Sequence, residues 1–450
     1  TFVEMETDHI NNNHERIVKK TTKPLVNQRK RWNLKITAFA ESTINPIRAI
    51  VEGLKFTPNP EKQMIPLSIG DPTTFGNLQP CSEIVEPVVE MLRLNQCNGY
   101  GPSSGRVEAR QAVAEYESAH NNVGTLTADD IILCSGCSSA LEMCIAALAD
   151  SGQNILIPRP GFSIYQTLAP GFGVSLRMYN LLPERNWEID LLHLESLIDE
   201  NTAALIVINP SNPCGSVFSK SHLQQIIKLA EKYYLPIIAD EIYEHMVFPG
   251  KVFYSVSSLS KNVPVLSCGG LTKRFLVPGW RMGWITIHDR QNLFKNVRTS
   301  LMKLSARILG PNAAIQGALP RILTETPQSF FDETVAILQR HANIAYEILS
   351  DVRGLKPIMP DGAMYMMIGI DVDNFPEYAT DLHFVRALVE DQSVFCLPGQ
   401  CFEYPNYIRI VLTVPEDLLR EACFRIAEFC EKHFKIDERI IQNAIIDTVN

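Results

Sequence analysis

Residues 203–215 read AALIVINPSNPCG, an unbroken apolar run followed by a turn that contains two Asn-Pro pairs and a glycine. A short apolar run without alternation is typical of a strand buried on both faces of a parallel sheet. The residues behind it predict a fixed, irregular turn at the carboxyl end of that strand. Ligands bind at this edge of open parallel sheets, so Asn212 is a candidate ligand contact, although a plain connector would use the same residue types.

Similar strands flank this one, and helical patterns separate them from about residue 130 to 290. This alternation predicts an α/β fold with a mostly parallel, seven-stranded sheet between helices. Beyond about residue 325, longer helices and isolated strands predict a smaller α+β domain. The strands are expected over 131–134, 154–157, 174–179, 203–208, 235–239, 264–268 and 284–287, then 363–370 and 407–413; the helices are expected over 139–148, 220–233, 334–349 and 418–433.

Composition excludes several classes of protein. The 450 residues are 46% hydrophobic and 20% charged, which suits a large ordered core. The net charge of −9 argues against a nucleic-acid binder, and no apolar run approaches the roughly 20 residues of a membrane span. Residues 1–36 carry eight basic and four acidic side chains, net +4, and are expected to be a flexible polar and basic tail.

The 11 cysteines favour a reducing compartment. Cys134 and Cys137 form one CxxC pair, but no second pair or nearby histidine completes a zinc site, so no metal is expected. We therefore expect a cytoplasmic protein, with a mitochondrial location left open because a natural start can precede Thr1.

Chemically active residues recur just after the predicted strands. Ser135-Gly136-Cys137 opens a helix, where backbone N–H groups favour an anion, although an ordinary helix cap uses the same residues. Phe162 can stack on a flat ligand or fill the core. Asp240 ends an apolar strand, where a carboxylate needs a partner such as an arginine or a cationic ring nitrogen.

Two cations lie in a glycine-punctuated apolar stretch farther along the chain. A desolvated Lys273 would be a usable nucleophile toward carbonyl groups, and Arg281 would suit a phosphate. Solvent exposure is the alternative for Lys273.

This order of residues on a parallel sheet resembles the fold-type I pyridoxal 5'-phosphate enzymes of the aspartate aminotransferase family. The resemblance runs from about Trp32 to His433. Its motifs are residues 158–163, 209–218, 267–274, 276–281, 307–311 and 401–406.

The resemblance implies a role for each candidate around the cofactor ring. Lys273 matches the lysine that binds the cofactor covalently and then serves as general base. Asp240 matches the carboxylate that keeps the pyridine nitrogen protonated. Asn212 and Tyr243 match the residues that hydrogen-bond the phenolic oxygen, and Phe162 matches the stacking aromatic.

The resemblance also implies the phosphate ligands, which would be residues 135–137 and Arg281. Many relatives add a serine three residues before the lysine, and here that position is Gly270. Ser267 and Thr272 are the candidate substitutes.

Substrate and partner contacts follow from the same resemblance. Arg409 matches the arginine that binds the substrate α-carboxylate, and Gly70 matches a backbone that closes over the substrate. Tyr100 matches a tyrosine that reaches the neighbouring subunit's site, which implies a homodimer.

The implied reaction transfers the amino group of L-tyrosine to 2-oxoglutarate, giving 4-hydroxyphenylpyruvate and L-glutamate. A broader aromatic or neutral amino-acid aminotransferase and a pyridoxal-phosphate-dependent C–S or β-lyase are the alternatives. A cofactor-binding regulator would need a DNA-binding appendage, for which residues 1–36 are too short and too mixed in charge. The expected domains are 76–325 (large, cofactor-binding) and 37–75 with 326–434 (small), with tails over 1–36 and 435–450.

Overall fold

A computed structural model describes Trp32 and residues 34–435. The elements below lie in the unit that begins at Ala38, and an N-terminal unit ends at Thr37. The predicted tails over 1–36 and 435–450 fall almost entirely outside the described residues.

The strands are β1 (Ile65–Pro66), β2 (Ile131–Cys134), β3 (Asn154–Arg159), β4 (Ser175–Leu182), β5 (Glu188–Ile189), β6 (Thr202–Ile208), β7 (Ile237–Asp240), β8 (Val265–Gly270), β9 (Gly283–His288), β10 (Leu355–Pro357), β11 (Tyr365–Ile370), β12 (Val394–Phe395), β13 (Leu397–Pro398) and β14 (Tyr407–Val411). The α-helices are α1 (Ala38–Ser42), α2 (Pro46–Gly53), α3 (Ser82–Leu94), α4 (Val107–Asn121), α5 (Cys137–Leu148), α6 (Ile164–Leu168), α7 (Leu191–Ser196), α8 (Lys220–Lys232), α9 (Val256–Leu259), α10 (Lys295–Ser305), α11 (Ala313–Glu325), α12 (Gln328–Ser350), α13 (Asp381–Gln392) and α14 (Glu416–His433).

The main sheet has the order β2-β9-β8-β7-β6-β3-β4-β5. The neighbours from β8 through β7, β6 and β3 to β4 are parallel. Strand β9 is antiparallel to both β2 and β8, and β5 is antiparallel to β4. The predicted mostly parallel sheet is confirmed, with eight strands instead of seven. The added strand, β5, has only two residues, which is too short for a periodic signal.

Both faces of the main sheet are covered, as the apolar run of β6 predicts. Ile206 belongs to the core that includes α5, whereas Leu205 and Val207 belong to the core that includes α8. Successive residues of a strand point to opposite faces of the sheet. All three side chains are buried because each face is covered by one of these cores. Helix α8 begins at a cap in which the Ser219 hydroxyl accepts a hydrogen bond from the backbone N–H of His222 at 3.2 Å.

A second, antiparallel sheet has the order β10-β11-β14-β13 and lies in the C-terminal third of the chain. Strands β1 and β12 pair in parallel, with Ile65 opposite Val394. The backbone N–H of Val411 donates to the Leu67 carbonyl at 2.9 Å. These contacts bring the segment before Gly70 beside the strand that carries Arg409.

All eleven cysteines are free thiols, and ten of them are buried. Within residues 34–435, no helix is long and apolar enough to cross a membrane. The same residues contain no cluster of three or more His, Cys, Asp or Glu side chains arranged for a metal ion.

Candidate active site

A cavity of about 340 Å³ lies between the carboxyl edge of the main sheet and the second sheet. Ten of the residues singled out in the sequence line it: Gly70, Cys137, Phe162, Asn212, Asp240, Tyr243, Thr272, Lys273, Arg281 and Arg409. Ser135 and Gly136 contact the Arg281 guanidinium but are not themselves in the lining. Tyr100 is 91% exposed and is not part of this lining.

One wall of the cavity is the start of helix α5, where Ser135, Gly136 and Arg281 come together. Gly136 precedes the helix with φ of +79°, and the Arg281 guanidinium lies over it and donates to the Ser135 carbonyl at 3.2 Å. A Cβ at Gly136 would lie 2.4 Å from Arg281 Nη2, and one at Gly283 would lie 2.6 Å from the Cys137 nitrogen. Only glycine fits either position, so the first N–H groups of the helix and a guanidinium can face one anion.

The expected serine position has no room for a side chain. A Cβ at Gly270 would lie 2.7 Å from the Met282 carbonyl oxygen. Of the two candidate substitutes, Thr272 lines the cavity and its hydroxyl is buried without a hydrogen-bond partner among the described residues. Ser267 is buried and is not part of the lining. Position 270 cannot supply a hydroxyl to an anion in the cavity, but Thr272 can.

Asp240 is the last residue of β7 and is 1% exposed. Its Oδ2 accepts a hydrogen bond from the Tyr165 hydroxyl at 2.7 Å, and its Oδ1 lies 3.7 Å from Cys137 Sγ. Burial raises the pKa of Asp240 to about 6, and the hydrogen bond from Tyr165 opposes the rise. No lysine or arginine forms an ion pair with Asp240 in the described part of the chain, so a cationic ligand group would find a buried, unpaired carboxylate.

Lys273 lies in the turn that follows β8. Its Nζ donates to the Gly70 carbonyl at 2.6 Å and lies 5.9 Å from the centre of the Tyr243 ring. Among residues 34–435 it has no carboxylate partner within ion-pair distance. The amine is therefore held in the cavity by a neutral acceptor.

Tyr243 is buried and shares a 2.8 Å hydroxyl–hydroxyl hydrogen bond with Tyr365. The two rings meet edge to face at 5.8 Å. Burial raises the pKa of the Tyr243 hydroxyl, and the neighbouring Tyr365 adds to the rise. The Tyr243 phenol is therefore neutral, and it lines the cavity as a hydrogen-bonding group.

Arg409 is 3% exposed, and its guanidinium donates to Asn212 Oδ1 at 3.0 Å and to the Ser68 carbonyl at 2.8 Å. Its Nε is buried without a partner, and the group lies 4.4 Å from the centre of the Tyr365 ring. No carboxylate pairs with it among the described residues. A buried guanidinium without an acid is costly, so it suits a ligand that brings a carboxylate.

Phe162 is half-buried in the cavity wall, and its ring meets that of Tyr165 edge to face at 6.2 Å. Sequence reasoning missed the contacts of Tyr165, Tyr365 and Ser68. Tyr165 follows Phe162 by three residues, one helical turn, and this spacing was the available signal. No local sequence pattern identifies Ser68 as a site residue, because its hydrogen-bond partner Arg409 is 341 residues away.

These groups match one kind of ligand. A glycine-lined helix start with an arginine suits a phosphate, an unpaired buried carboxylate suits a protonated ring nitrogen, and an amine suits an aldehyde. The site therefore has the donor set for pyridoxal 5'-phosphate, on a sheet that has the strand arrangement expected for fold type I.

The chain belongs to the aminotransferase class I and II family, whose profile matches residues 62–426. It is therefore a pyridoxal-phosphate-dependent aminotransferase. It is 54% identical to mouse tyrosine aminotransferase over 91% of this chain and 90% of that protein. The crystal structure of tyrosine aminotransferase from Leishmania infantum superposes with a TM-score of 0.87 at 32% identity, covering 90% of this chain and all of the other. Alanine aminotransferase from Pyrococcus furiosus gives a TM-score of 0.83 at 30% identity, covering 88% and 100%.

Proposed function

We propose that this aminotransferase transfers the amino group of L-tyrosine to 2-oxoglutarate, giving 4-hydroxyphenylpyruvate and L-glutamate, in the catabolism of tyrosine and phenylalanine. The 54% identity to mouse tyrosine aminotransferase supports the choice of substrate. The observation that carries the substrate class, an amino acid with a free α-carboxylate, is the buried Arg409, which has no carboxylate partner among the described residues and lines the same cavity as Lys273.

Arg409 binds the substrate α-carboxylate in this proposal. A guanidinium and a carboxylate form two parallel hydrogen bonds, which fix the orientation of the amino acid. Asn212 already accepts from Nη1, so its amide holds the guanidinium plane in place. Gly70 contributes a backbone that closes over the substrate, and its carbonyl accepts a hydrogen bond from the Lys273 amine in the structure.

Lys273 would hold the cofactor through its amine and would be the base that moves the proton from the substrate Cα. Pyridoxal 5'-phosphate, when bound, supplies an aldehyde that condenses with amines and a protonated ring that withdraws electrons from Cα. Asp240 keeps the ring nitrogen protonated, because a buried carboxylate is stabilised by a cation at short range. Phe162 would stack on the ring, and Asn212 and Tyr243 would hydrogen-bond its phenolic oxygen.

The phosphate is held by residues 135–137 and Arg281 in this proposal. Thr272 adds its unpartnered hydroxyl, which takes the place of the serine that Gly270 excludes. A phosphate then meets a helix start, a guanidinium and a hydroxyl, none of which is neutralised by an acid among the described residues.

We also propose the division into a large domain, 76–325, and a small domain, 37–75 with 326–434. The main sheet lies within the first range, and the second sheet lies within 326–434. The pairing of β1 with β12 supports grouping the early segment with the late one. The protein acts in the cytoplasm as a homodimer, in which the exposed Tyr100 reaches the cofactor of the partner subunit.

The test is a comparison of kcat/KM for tyrosine, phenylalanine and alanine with 2-oxoglutarate as acceptor. We expect tyrosine to be preferred over alanine. The structural similarity to an alanine aminotransferase makes a broader specificity the second candidate, and a clear preference for alanine would overturn the tyrosine assignment. Release of pyruvate and ammonia from a cysteine conjugate without a keto acid would instead indicate a lyase.

A further inference from the structure

Tyr165 lies behind the cavity wall and is fully buried. It belongs to α6, the short helix that follows Phe162, and it is not part of the cavity lining. Its hydroxyl donates to Asp240 Oδ2 at 2.7 Å, which is the shortest hydrogen bond that Asp240 receives. Packing alone would be served as well by phenylalanine, because a buried hydroxyl costs free energy unless it has a partner.

The two oxygens of Asp240 have unequal surroundings. Oδ2 has the strong donor from Tyr165, whereas the contacts of Oδ1 within residues 34–435 are Cys137 Sγ at 3.7 Å and the Ile242 N–H at 3.5 Å. A carboxylate that is tethered at one oxygen keeps a fixed plane and leaves the other oxygen for a ligand. The titratable groups that face Asp240 are Tyr165 on α6, Cys137 on α5, Cys268 on β8, and Tyr243 and Lys273 in the turns after β7 and β8.

We propose that Tyr165 is a positioning residue that holds Asp240 ionised and in a single orientation, so that its free oxygen meets the cofactor's ring nitrogen. This inference rests on the role proposed for Asp240. The same residue contacts Phe162 edge to face at 6.2 Å, so one buried tyrosine supports both the stacking ring and the carboxylate.

The variant Tyr165→Phe keeps the ring and its contact with Phe162 and removes only the hydroxyl. Tyr179→Phe is a matched control, because Tyr179 is also buried and its hydroxyl donates to the Ile206 carbonyl at 2.8 Å, away from the cavity. The readout is the Kd of the apoprotein for pyridoxal 5'-phosphate between pH 5 and 9, together with Tm.

We expect Tyr165→Phe to weaken cofactor binding about tenfold near pH 6, with a smaller loss at pH 8. The donor stabilises the ionised form of Asp240, so its removal raises the pKa of that carboxyl and moves the acid midpoint of binding to higher pH. The cofactor's phosphate titrates in the same pH range in every variant. The shift of the acid midpoint between Tyr165→Phe and the parent protein therefore reports on Asp240. Tyr179→Phe should leave the midpoint unchanged.

An unchanged Kd and midpoint in folded Tyr165→Phe would overturn the inference, as would the same shift in Tyr179→Phe. Should Tyr165→Phe fail to fold, site-specific replacement of Tyr165 by 3-fluorotyrosine keeps the ring and strengthens the donor. The acid midpoint should then move to lower pH, and a midpoint that stays in place would refute the inference.

A double-mutant cycle with Asp240→Asn separates this inference from the proposed function. Tyr165→Phe should add no further loss in the Asp240→Asn background, because the hydroxyl acts through the carboxylate. If Asp240→Asn itself leaves cofactor affinity and absorbance unchanged, the role proposed for Asp240 fails. If Asp240→Asn is impaired and Tyr165→Phe is normal, only the role of Tyr165 fails.

Discussion

Replacing Arg409 with methionine tests how the substrate is held. The guanidinium is 3% exposed, donates to Asn212 and Ser68, and keeps its Nε without a partner among the described residues. Loss of one partner of a buried, hydrogen-bonded charge pair costs about 2–5 kcal/mol, which corresponds to about 30- to 5,000-fold. Because the cavity also admits water, we expect kcat/KM for tyrosine to fall by about 10²- to 10³-fold.

Stability should change little in the same variant. Two hydrogen bonds to neutral acceptors are lost, but a buried charge that has no acid beside it is removed as well. We expect the free energy of unfolding to stay within about 2 kcal/mol of the parent, since these effects oppose each other. Urea denaturation measures it, and a much larger loss would indicate a structural role.

Tyramine, which lacks the carboxylate, is the matched test compound. Arg409→Met should lose most of the parent enzyme's preference for tyrosine over tyramine. Arg110→Met is the control, because Arg110 is also mostly buried and donates to the Gly105 and Ala128 carbonyls, but it has an acid, Asp129, at 3.6 Å and does not line the cavity. A kcat/KM for tyrosine within about threefold of the parent in Arg409→Met would refute the assignment.

Three further predictions concern the cofactor cradle and a buried acid. Gly136→Ala should weaken pyridoxal phosphate binding at least about tenfold, because the new Cβ displaces Arg281. Gly152→Ala is the control, because Gly152 has a similar positive φ but no atom lies near its Cβ position, and it should leave binding unchanged. Equilibrium dialysis measures both affinities. Thr272→Val should weaken binding of pyridoxal phosphate but not of pyridoxal in fluorescence titrations, and equal losses for both would contradict a phosphate contact. Burial raises the pKa of Glu241 to about 8, above its unfolded value of about 4.5. Between these values the folded protein binds more protons than the unfolded chain, so the free energy of unfolding falls as pH rises. Glu241→Gln should flatten that decline in urea denaturation between pH 5 and 8, and an identical slope would contradict it.

The sheet was predictable from the sequence because local patterns determine it. The unbroken apolar run of β6 and the turn behind it predicted a buried central strand. Asp240 and Lys273 follow neighbouring strands, and parallel strands end at one edge, so their meeting followed from topology. Family resemblance supplied their roles, which the periodicity of the sequence does not contain.

Other features depend on contacts between distant segments. Arg409 meets Ser68 because the segment around Leu67 joins β14, a pairing that no local pattern predicts. Its contact with Asn212 joins two residues that are 197 positions apart. The crowding at Gly270 comes from the backbone of Met282, which lies on the adjacent antiparallel segment. Sequence spacing placed Tyr165 one turn from Phe162, but its hydroxyl meets Asp240, 75 residues along the chain, only through the tertiary fold.

The most direct test of the account is the covalent attachment of the cofactor to Lys273. The parent protein, loaded with pyridoxal phosphate, should show a visible absorbance band that changes when tyrosine is added. Borohydride reduction should leave the cofactor on the peptide that contains Lys273, as read by mass spectrometry, and Lys273→Ala should lose both the attachment and turnover. Attachment to another lysine, or normal tyrosine turnover by Lys273→Ala, would contradict the account.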